Sequence, residues 1–182
     1  MSRWQRWVIV ISAVALSNSS WGVDWAPFDV GNGLYATLVE TTVAANGQLS
    51  CTVEIDKTEV KTPWLPSFSM SVSDGNGKAF TVYSSTEEVG QRLFGIKVSE
   101  GDEVNYQSNF LGMLGVHNRF SLELYWWDTG SAAFRANAEN GEFGQGMMQN
   151  VGFTAKEIKI YASSIKGRAR CSPEIQGKDG RH

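Results

Sequence analysis

Apolar and polar residues alternate with a period of two along several stretches of this chain, and this alternation constrains its fold more than any other feature. The segment 67–73 is the clearest case, because Phe68, Met70 and Val72 alternate there with serines. Successive side chains of a β-strand point to opposite faces of a sheet, so the pattern is typical of a strand buried on one face. No stretch of a dozen residues shows a convincing helical period. The sequence therefore predicts an all-β domain.

The length of the loop after this strand follows from the register of the two strands that it joins. A three-residue loop at 75–77 places Val72 opposite Phe80. It also places Met70 opposite Val82, so apolar faces meet along the whole pair. A two-residue loop would shift the register by one residue and oppose unlike faces. The sequence therefore predicts a three-residue loop that ends in a left-handed glycine.

The same test predicts three further hairpins with consistent faces. Their loops are residues 45–47, 100–102 and 128–130, and each contains a glycine. The predicted pairs are Val43 with Leu49 and Val39 with Val53 for the first loop, Val98 with Val104 and Ile96 with Tyr106 for the second, and Leu124 with Phe134, Leu122 with Ala136 and Glu123 with Arg135 for the third.

Two more strands are predicted near the end of the chain. One covers Glu157 to Ser163 with Ile158, Ile160 and Ala162 facing inward, and another leads into Cys171. About ten strands are too many for one flat sheet of this size. The sequence predicts a two-sheet antiparallel β-sandwich of the jelly-roll type, with a small closed β-barrel as the alternative.

The first residues have the pattern of a secretory signal peptide. Arg3 and Arg6 precede the apolar run 8–16, which is too short to span a bilayer, and small residues follow it. We therefore expect a signal peptide over residues 1–22, cut between residues 15 and 22, and no transmembrane helix. The expected domain is 23–171, followed by a polar tail at 172–182. This predicts an exported protein, periplasmic or secreted.

Export changes the interpretation of the two cysteines, Cys51 and Cys171. Thiols oxidise in exported proteins, and an even number of cysteines favours pairing. The sequence predicts one Cys51–Cys171 disulfide. If it forms, the strands that carry the two cysteines lie side by side or face to face.

The charge of the chain argues against some partners. The formal net charge is −3, and it becomes more negative without Arg3 and Arg6. Proteins that bind nucleic acid or anionic membrane surfaces generally carry a basic patch. The only short cluster of basic residues is 166–170, so no nucleic-acid partner is expected.

The supply of reactive side chains limits the chemistry. The chain contains two histidines, His117 and His182, no Gly-x-Ser-x-Gly motif and no glycine-rich phosphate loop. The sequence therefore predicts no catalytic residue, metal or cofactor site. Cleavage of a glycan by two carboxylates is the remaining enzymatic option, and Glu123 is its best single candidate. Arg135, predicted opposite it, favours a structural pair instead.

One face of the hairpin around residues 128–130 carries an unusual set of side chains. It combines two aromatic rings with a carboxylate, a guanidinium and an amide, a combination suited to sugars. The predicted ligand-binding residues are Glu123, Tyr125, Trp127, Arg135 and Asn137. The alternative is that loops cover Tyr125 and Trp127 as ordinary packing. Trp64, in the loop 63–66, is predicted to close one end of the sandwich.

Three segments together resemble the second half of a laminin-G or concanavalin-A-like lectin domain. They are the strand 119–127 with its hairpin, Asn140-Gly-Glu142, and the strand 157–163. The resemblance implies a jelly-roll fold. That superfamily contains glycan-binding modules, adhesive modules and glycan-cleaving enzymes, so the fold does not choose among them. Its calcium ligands and catalytic carboxylates have no matching positions here.

The leading hypothesis is an exported, non-enzymatic binding or adhesive module whose partner is a glycan or another cell-surface molecule. The first alternative is a polysaccharide-cleaving enzyme on the same fold, which requires a second carboxylate near Glu123. The second alternative is a small outer-membrane β-barrel protein, which the signal peptide, the alternation and the short turns also fit.

Overall fold

The computed structural model describes residues 24–58, 65–88, 91–101, 103–107, 118–138 and 144–174. These residues form twelve strands and two antiparallel sheets. The strands are β1 (Ala26–Asp29), β2 (Tyr35–Thr42), β3 (Gly47–Thr58), β4 (Ser67–Ser73), β5 (Lys78–Glu88), β6 (Gln91–Glu100), β7 (Glu103–Gln107), β8 (Arg119–Trp126), β9 (Ser131–Ala138), β10 (Gly144–Asn150), β11 (Glu157–Ser163) and β12 (Ile165–Glu174).

Each sheet contains six of these strands. Sheet 1 has the order β1-β12-β3-β8-β9-β10, and sheet 2 has the order β2-β11-β4-β5-β6-β7. The predicted two-sheet antiparallel sandwich is confirmed. The described strands divide into two separate sheets, each with two edge strands, so the closed-barrel alternative is wrong for them.

The core lies between the sheets and consists of the apolar residues of the alternating strands. Phe28 of β1 contacts Phe68 of β4 with ring centroids 5.9 Å apart. Phe94 of β6 meets Phe120 of β8 edge-on at 5.7 Å. Each pair joins one sheet to the other, and all four rings are buried. Burial of these rings between the sheets stabilises the sandwich together with the other buried apolar residues of the core.

Two of the four predicted hairpins are confirmed in loop length and register. Val72 pairs with Phe80 across the 75–77 loop. Leu124 pairs with Phe134 across the 128–130 loop. The last residue of each loop is a glycine with positive φ, 105° for Gly77 and 78° for Gly130. The left-handed conformation at this position therefore carries no Cβ penalty.

The predicted loop at residues 100–102 is too long by one residue. Glu100 pairs directly with Glu103, so Val98 lies opposite Asn105 and Ile96 opposite Gln107, not opposite Val104 and Tyr106. Gly101 has a φ of 60° and is the first residue of a two-residue loop. Its backbone N–H donates to the Gly77 carbonyl at 3.0 Å, which holds this tighter turn in place.

The hairpin predicted around residues 45–47 is also wrong, because β2 and β3 belong to different sheets. Val39 pairs with Ile160 of β11, and the segment after β2 crosses to sheet 1. The indole of Trp126 packs against Gly47 at this crossing and donates a hydrogen bond to the Ala44 carbonyl at 2.9 Å. Both strands face the core in either arrangement, so alternation alone does not distinguish a hairpin from a crossing between sheets.

The strand and the disulfide predicted near the end of the chain agree with the structure. Strand β11 covers Glu157–Ser163 with Ile158, Ile160 and Ala162 buried. Cys51 and Cys171 form the predicted disulfide and lie directly opposite each other on β3 and β12. A disulfide is compatible with an exported protein. Strand β12 continues to Glu174, and β1 pairs beside it, so the first and last strands are neighbours.

Several predictions fall outside the described residues and stay predictions. They concern the signal peptide at 1–22, Trp64, His117 and the end of the tail after Glu174. No helix long and apolar enough to cross a membrane occurs in the part of the chain that the structure describes.

Candidate functional site

The five predicted ligand-binding residues lie together on the outer face of sheet 1. Strands β8 and β9 are neighbours, and the inward residues of β8 are buried in the core. The alternate residues therefore point away from the core. Glu123, Tyr125, Trp127 and Asn137 are half-buried, and Arg135 is exposed. The strand register brings all five residues to one outward face.

Two aromatic rings stack against each other at one end of this face. The rings of Tyr125 and Trp127 are nearly parallel, with an interplanar angle of 9° and centroids 6.3 Å apart. Ala133 lies opposite Tyr125 on β9, and its short side chain leaves space beside the ring. Both residues are only half-buried, so part of each ring is accessible to the apolar face of a ligand.

Polar groups surround this aromatic pair. The Tyr125 hydroxyl donates a hydrogen bond to Glu123 Oε2. Arg135 lies directly opposite Glu123 on β9. One position further along, Asn137 Nδ2 donates to Ser121 Oγ at 3.4 Å. The face therefore presents donors and acceptors held at fixed positions by a β-ladder.

Strand β3 continues the same face on the other side of β8. Gln48 lies opposite Tyr125, Ser50 opposite Glu123, and Thr52 opposite Ser121. All three β3 residues are half-buried. Short hydroxyl side chains thus form a low polar floor next to the taller aromatic pair.

The surroundings of Glu123 bear on the enzyme alternative. Its direct cross-strand neighbours are Ser50 and Arg135, and its neighbours along the face of β8 are Ser121 and Tyr125. None of these is a carboxylate. The second acid that a two-carboxylate mechanism requires is therefore absent from these described neighbours. The described residues also contain no group of three His, Cys, Asp or Glu side chains that could hold a metal ion.

A second aromatic cluster on this face was not predicted from the sequence. The Trp25 ring centre lies 5.6 Å from the guanidinium of Arg119, 4.8 Å from that of Arg168 and 5.5 Å from that of Arg170. Glu54 pairs with Arg119 at 3.3 Å and also with Arg168. We call these five residues the Trp25 cluster. Its members come from four distant parts of the chain, so no local pattern reveals it. The basic run 166–170 is the only signal of it in the sequence.

No protein-family model matches this sequence, and no curated protein matches it either.

Solved structures of similar fold do exist. The legume lectin-like domain from Entamoeba histolytica matches with a TM-score of 0.56 and 7% identity, over 82% of this chain and 82% of that one. Scytalido-glutamic peptidase matches with a TM-score of 0.55 and 5% identity, over 79% of this chain and 80% of that one.

A larger protein also contains a similar fold. Xylan beta-1,4-xylosidase from Bacillus halodurans C-125 matches with a TM-score of 0.56 and 8% identity over 72% of this chain. The match spans 28% of that protein. At these identities the three similarities show the fold alone. One of the three is a legume lectin-like domain and the other two are enzymes.

Proposed function

We propose that this protein is a carbohydrate-binding module whose ligand lies on the outer face of sheet 1. The observation that carries the proposal is the parallel, half-exposed Tyr125–Trp127 pair beside Glu123, Arg135 and Asn137. Sugar rings present flat C–H faces that stack on aromatic rings and hydroxyl edges that hydrogen-bond to charged and amide groups.

The position of the pair supports a binding role over a packing role. The inward neighbour Trp126 is 3% exposed and packs in the core. The tryptophan that packs in the core at this end of β8 is therefore Trp126 and not Trp127. Tyr125 and Trp127 contribute little to that core because they point the other way. Two of the proteins with a similar fold, the legume lectin-like domain and the xylosidase, have names that refer to carbohydrates.

The test is titration of the purified protein with a panel of soluble linear oligosaccharides, neutral and acidic, followed by tryptophan fluorescence and calorimetry. We expect binding to at least one class, and we expect Trp127→Ala to weaken it about tenfold or more, because it removes a stacking surface.

Tyr35→Ala is the matched control, because Tyr35 is a 56% exposed aromatic on sheet 2. It should leave affinity unchanged. Absence of binding across the whole panel, or equal losses in Trp127→Ala and Tyr35→Ala, would overturn the proposal.

A further inference from the structure

We infer that the ligand of this face is a linear acidic polysaccharide, and that the Trp25 cluster holds its anionic groups. This inference rests on the proposed carbohydrate-binding function. It adds the chemical class of the ligand and the direction in which the ligand lies on the sheet.

The geometry of the Trp25 cluster places positive charge beside an aromatic surface. Arg119 belongs to β8, and Arg168 and Arg170 belong to β12, with β3 between the two strands. All three guanidinium groups lie within 6 Å of the Trp25 ring centre, the range of a cation–π contact. The ring therefore lies above β3 and fixes the guanidinium groups on the outer face of the sheet.

The charges in this cluster do not balance. Glu54 pairs with Arg119 and with Arg168, so one carboxylate serves two guanidinium groups. The Arg170 side chain is exposed at the edge of the cluster. Three positive groups against one negative group leave an excess of positive charge that a carboxylate or sulfate can neutralise, and planar guanidinium groups bind such anions with two parallel hydrogen bonds.

The excess stays with the Trp25 cluster, because Arg135 balances Glu123 on the rest of the face, and it is opposite in sign to the charge of the whole chain. The described outward charged residues on residues 48–54 of β3, on β8, on 131–137 of β9 and on 168–172 of β12 are four arginines and two glutamates. The whole chain has a formal net charge of −3. A positive face on an acidic protein attracts an anionic ligand locally while the remaining surface repels it.

The arrangement along β8 points to an extended ligand. The Trp25 cluster touches the sheet at Arg119, and the other aromatic surface begins at Tyr125 on the same strand. Six residues of strand separate these two positions by about 20 Å. Short side chains, Ser50, Thr52 and Ser121, lie between them. A single sugar cannot reach both aromatic surfaces, whereas a chain of several sugars lying along β8 can.

The carboxylate in the middle of this path is compensated. Glu123 accepts the hydrogen bond of the Tyr125 hydroxyl and lies directly opposite Arg135. An anionic ligand therefore meets the positive Arg135 beside Glu123 and a hydroxyl-lined floor on the other side. Single-stranded nucleic acid is the competing linear polyanion. The amide and carboxylate groups near Tyr125 suit a ligand with several free hydroxyls on each residue, which a polysaccharide has and a nucleic-acid backbone largely lacks.

The experiment compares hexagalacturonate and a heparin hexasaccharide with cellohexaose and xylohexaose, using the full chain and calorimetry at 50 and 300 mM NaCl. We expect the acidic oligosaccharides to bind at least several-fold more tightly than the neutral ones, with affinity falling as salt rises. Arg170→Gln should weaken binding of the acidic oligosaccharides roughly threefold to tenfold, and by a larger factor than it weakens binding of the neutral ones.

Lys159→Gln is the control variant, because it removes one positive charge from β11 in sheet 2, where Lys159 pairs with Glu40 at 2.9 Å. It should change none of the affinities.

The outcomes separate this inference from the proposed function. Equal or tighter binding of the neutral oligosaccharides, or acidic binding that is insensitive to both salt and Arg170→Gln, overturns the acidic ligand but leaves carbohydrate binding intact. Tighter binding of a single-stranded oligonucleotide than of any oligosaccharide overturns the inference in favour of nucleic acid. No binding of any oligosaccharide overturns both.

Discussion

The Tyr125 hydroxyl donates a hydrogen bond to Glu123 Oε2, two residues earlier on the same face of β8. This bond links the aromatic surface to the polar centre of the face. Rotation about the Cα–Cβ bond of Tyr125 would move the hydroxyl away and break it, so the bond helps to keep the ring on the outer face beside Trp127. A fixed ring loses less conformational entropy when a ligand binds.

Removing only the hydroxyl of Tyr125 should therefore separate stacking from orientation. We expect Tyr125→Phe to weaken oligosaccharide binding by a small factor, about threefold to tenfold, because the ring stays but one hydrogen bond is lost. Tyr125→Ala should weaken it further, since it also removes the stacking surface. Calorimetric titration of both variants measures the difference. Equal losses would contradict a role for the ring itself.

The disulfide should contribute strongly to the stability of the fold that presents this face. Cys51 and Cys171 are 120 residues apart in sequence and join β3 to β12, two strands of the candidate site. Closing a loop of this length stabilises a protein by about 5 kcal/mol in the chain-entropy model, and measured values of 2–4 kcal/mol are typical.

We expect the double variant Cys51→Ala, Cys171→Ala to lose free energy of unfolding in that range, measured by urea denaturation. A reducing agent should lower the stability of the natural sequence in the same way and leave the double variant unaffected. Equal denaturation midpoints for the natural sequence and the double variant would show that the bond is not a major stabilising element.

Gly167 lies on β12 in close contact with the backbone of β3. A Cβ at this position would overlap the backbone oxygen of Glu54 and lie 3.1 Å from the Ile55 Cα. Gly167→Ala should therefore force the two strands apart and cost about 1–3 kcal/mol or more, the range of an overpacked core.

Gly95→Ala is a useful comparison for this substitution. The three atoms nearest to a Cβ there all belong to the ring and hydroxyl of Tyr83, the far end of a half-buried side chain and not backbone. Urea denaturation should show a smaller loss than for Gly167→Ala. A loss in Gly95→Ala equal to or larger than that in Gly167→Ala would contradict the close backbone approach.

Two buried threonines on β5 differ in how their hydroxyls are satisfied. Thr86 is 5% exposed, and its Oγ1 has no hydrogen-bond partner among the described residues. Thr81 is 3% exposed and donates to Ser71 Oγ at 3.0 Å. A buried hydroxyl without a partner costs about 1–3 kcal/mol.

Replacing each threonine by valine keeps the shape and removes the hydroxyl. We expect Thr86→Val to leave the free energy of unfolding unchanged or to raise it by about 1 kcal/mol, and Thr81→Val to lower it by about 1 kcal/mol. Thermal or urea denaturation measures both. Similar losses in the two variants would mean that the Thr86 hydroxyl does have a stabilising partner.

The sequence was sufficient to predict which face of each strand is buried, because burial repeats every two residues and appears within one segment as alternating apolar and polar residues. The outward grouping of Glu123, Tyr125 and Trp127 followed from that alternation. The disulfide followed from the cysteine count together with predicted export. These predictions depend on properties that a short segment carries by itself.

The pairing of the strands was harder to predict. Alternation indicates which face of a strand is buried, but it does not indicate which strand lies beside it. The segment after β2 looked like a hairpin loop, but Val43 continues along β11 by donating its N–H to the Lys156 carbonyl at 2.8 Å. The Trp25 cluster was missed for the same reason. Trp25 meets Arg168 only after β1 has paired with β12, at the far end of the chain.

The most direct test of a ligand on the outer face compares two adjacent tryptophans, one on that face and one in the core. Trp127 lies on the outer face, whereas Trp126 points into the core and donates its indole N–H to the Ala44 carbonyl. We would follow the indole N–H signals of ¹⁵N-labelled protein by NMR during titration with hexagalacturonate and with cellohexaose. The account predicts shifts for Trp127 with either bound oligosaccharide, an additional shift for Trp25 with the acidic one, and an unchanged Trp126. Binding that leaves Trp127 unshifted would contradict it.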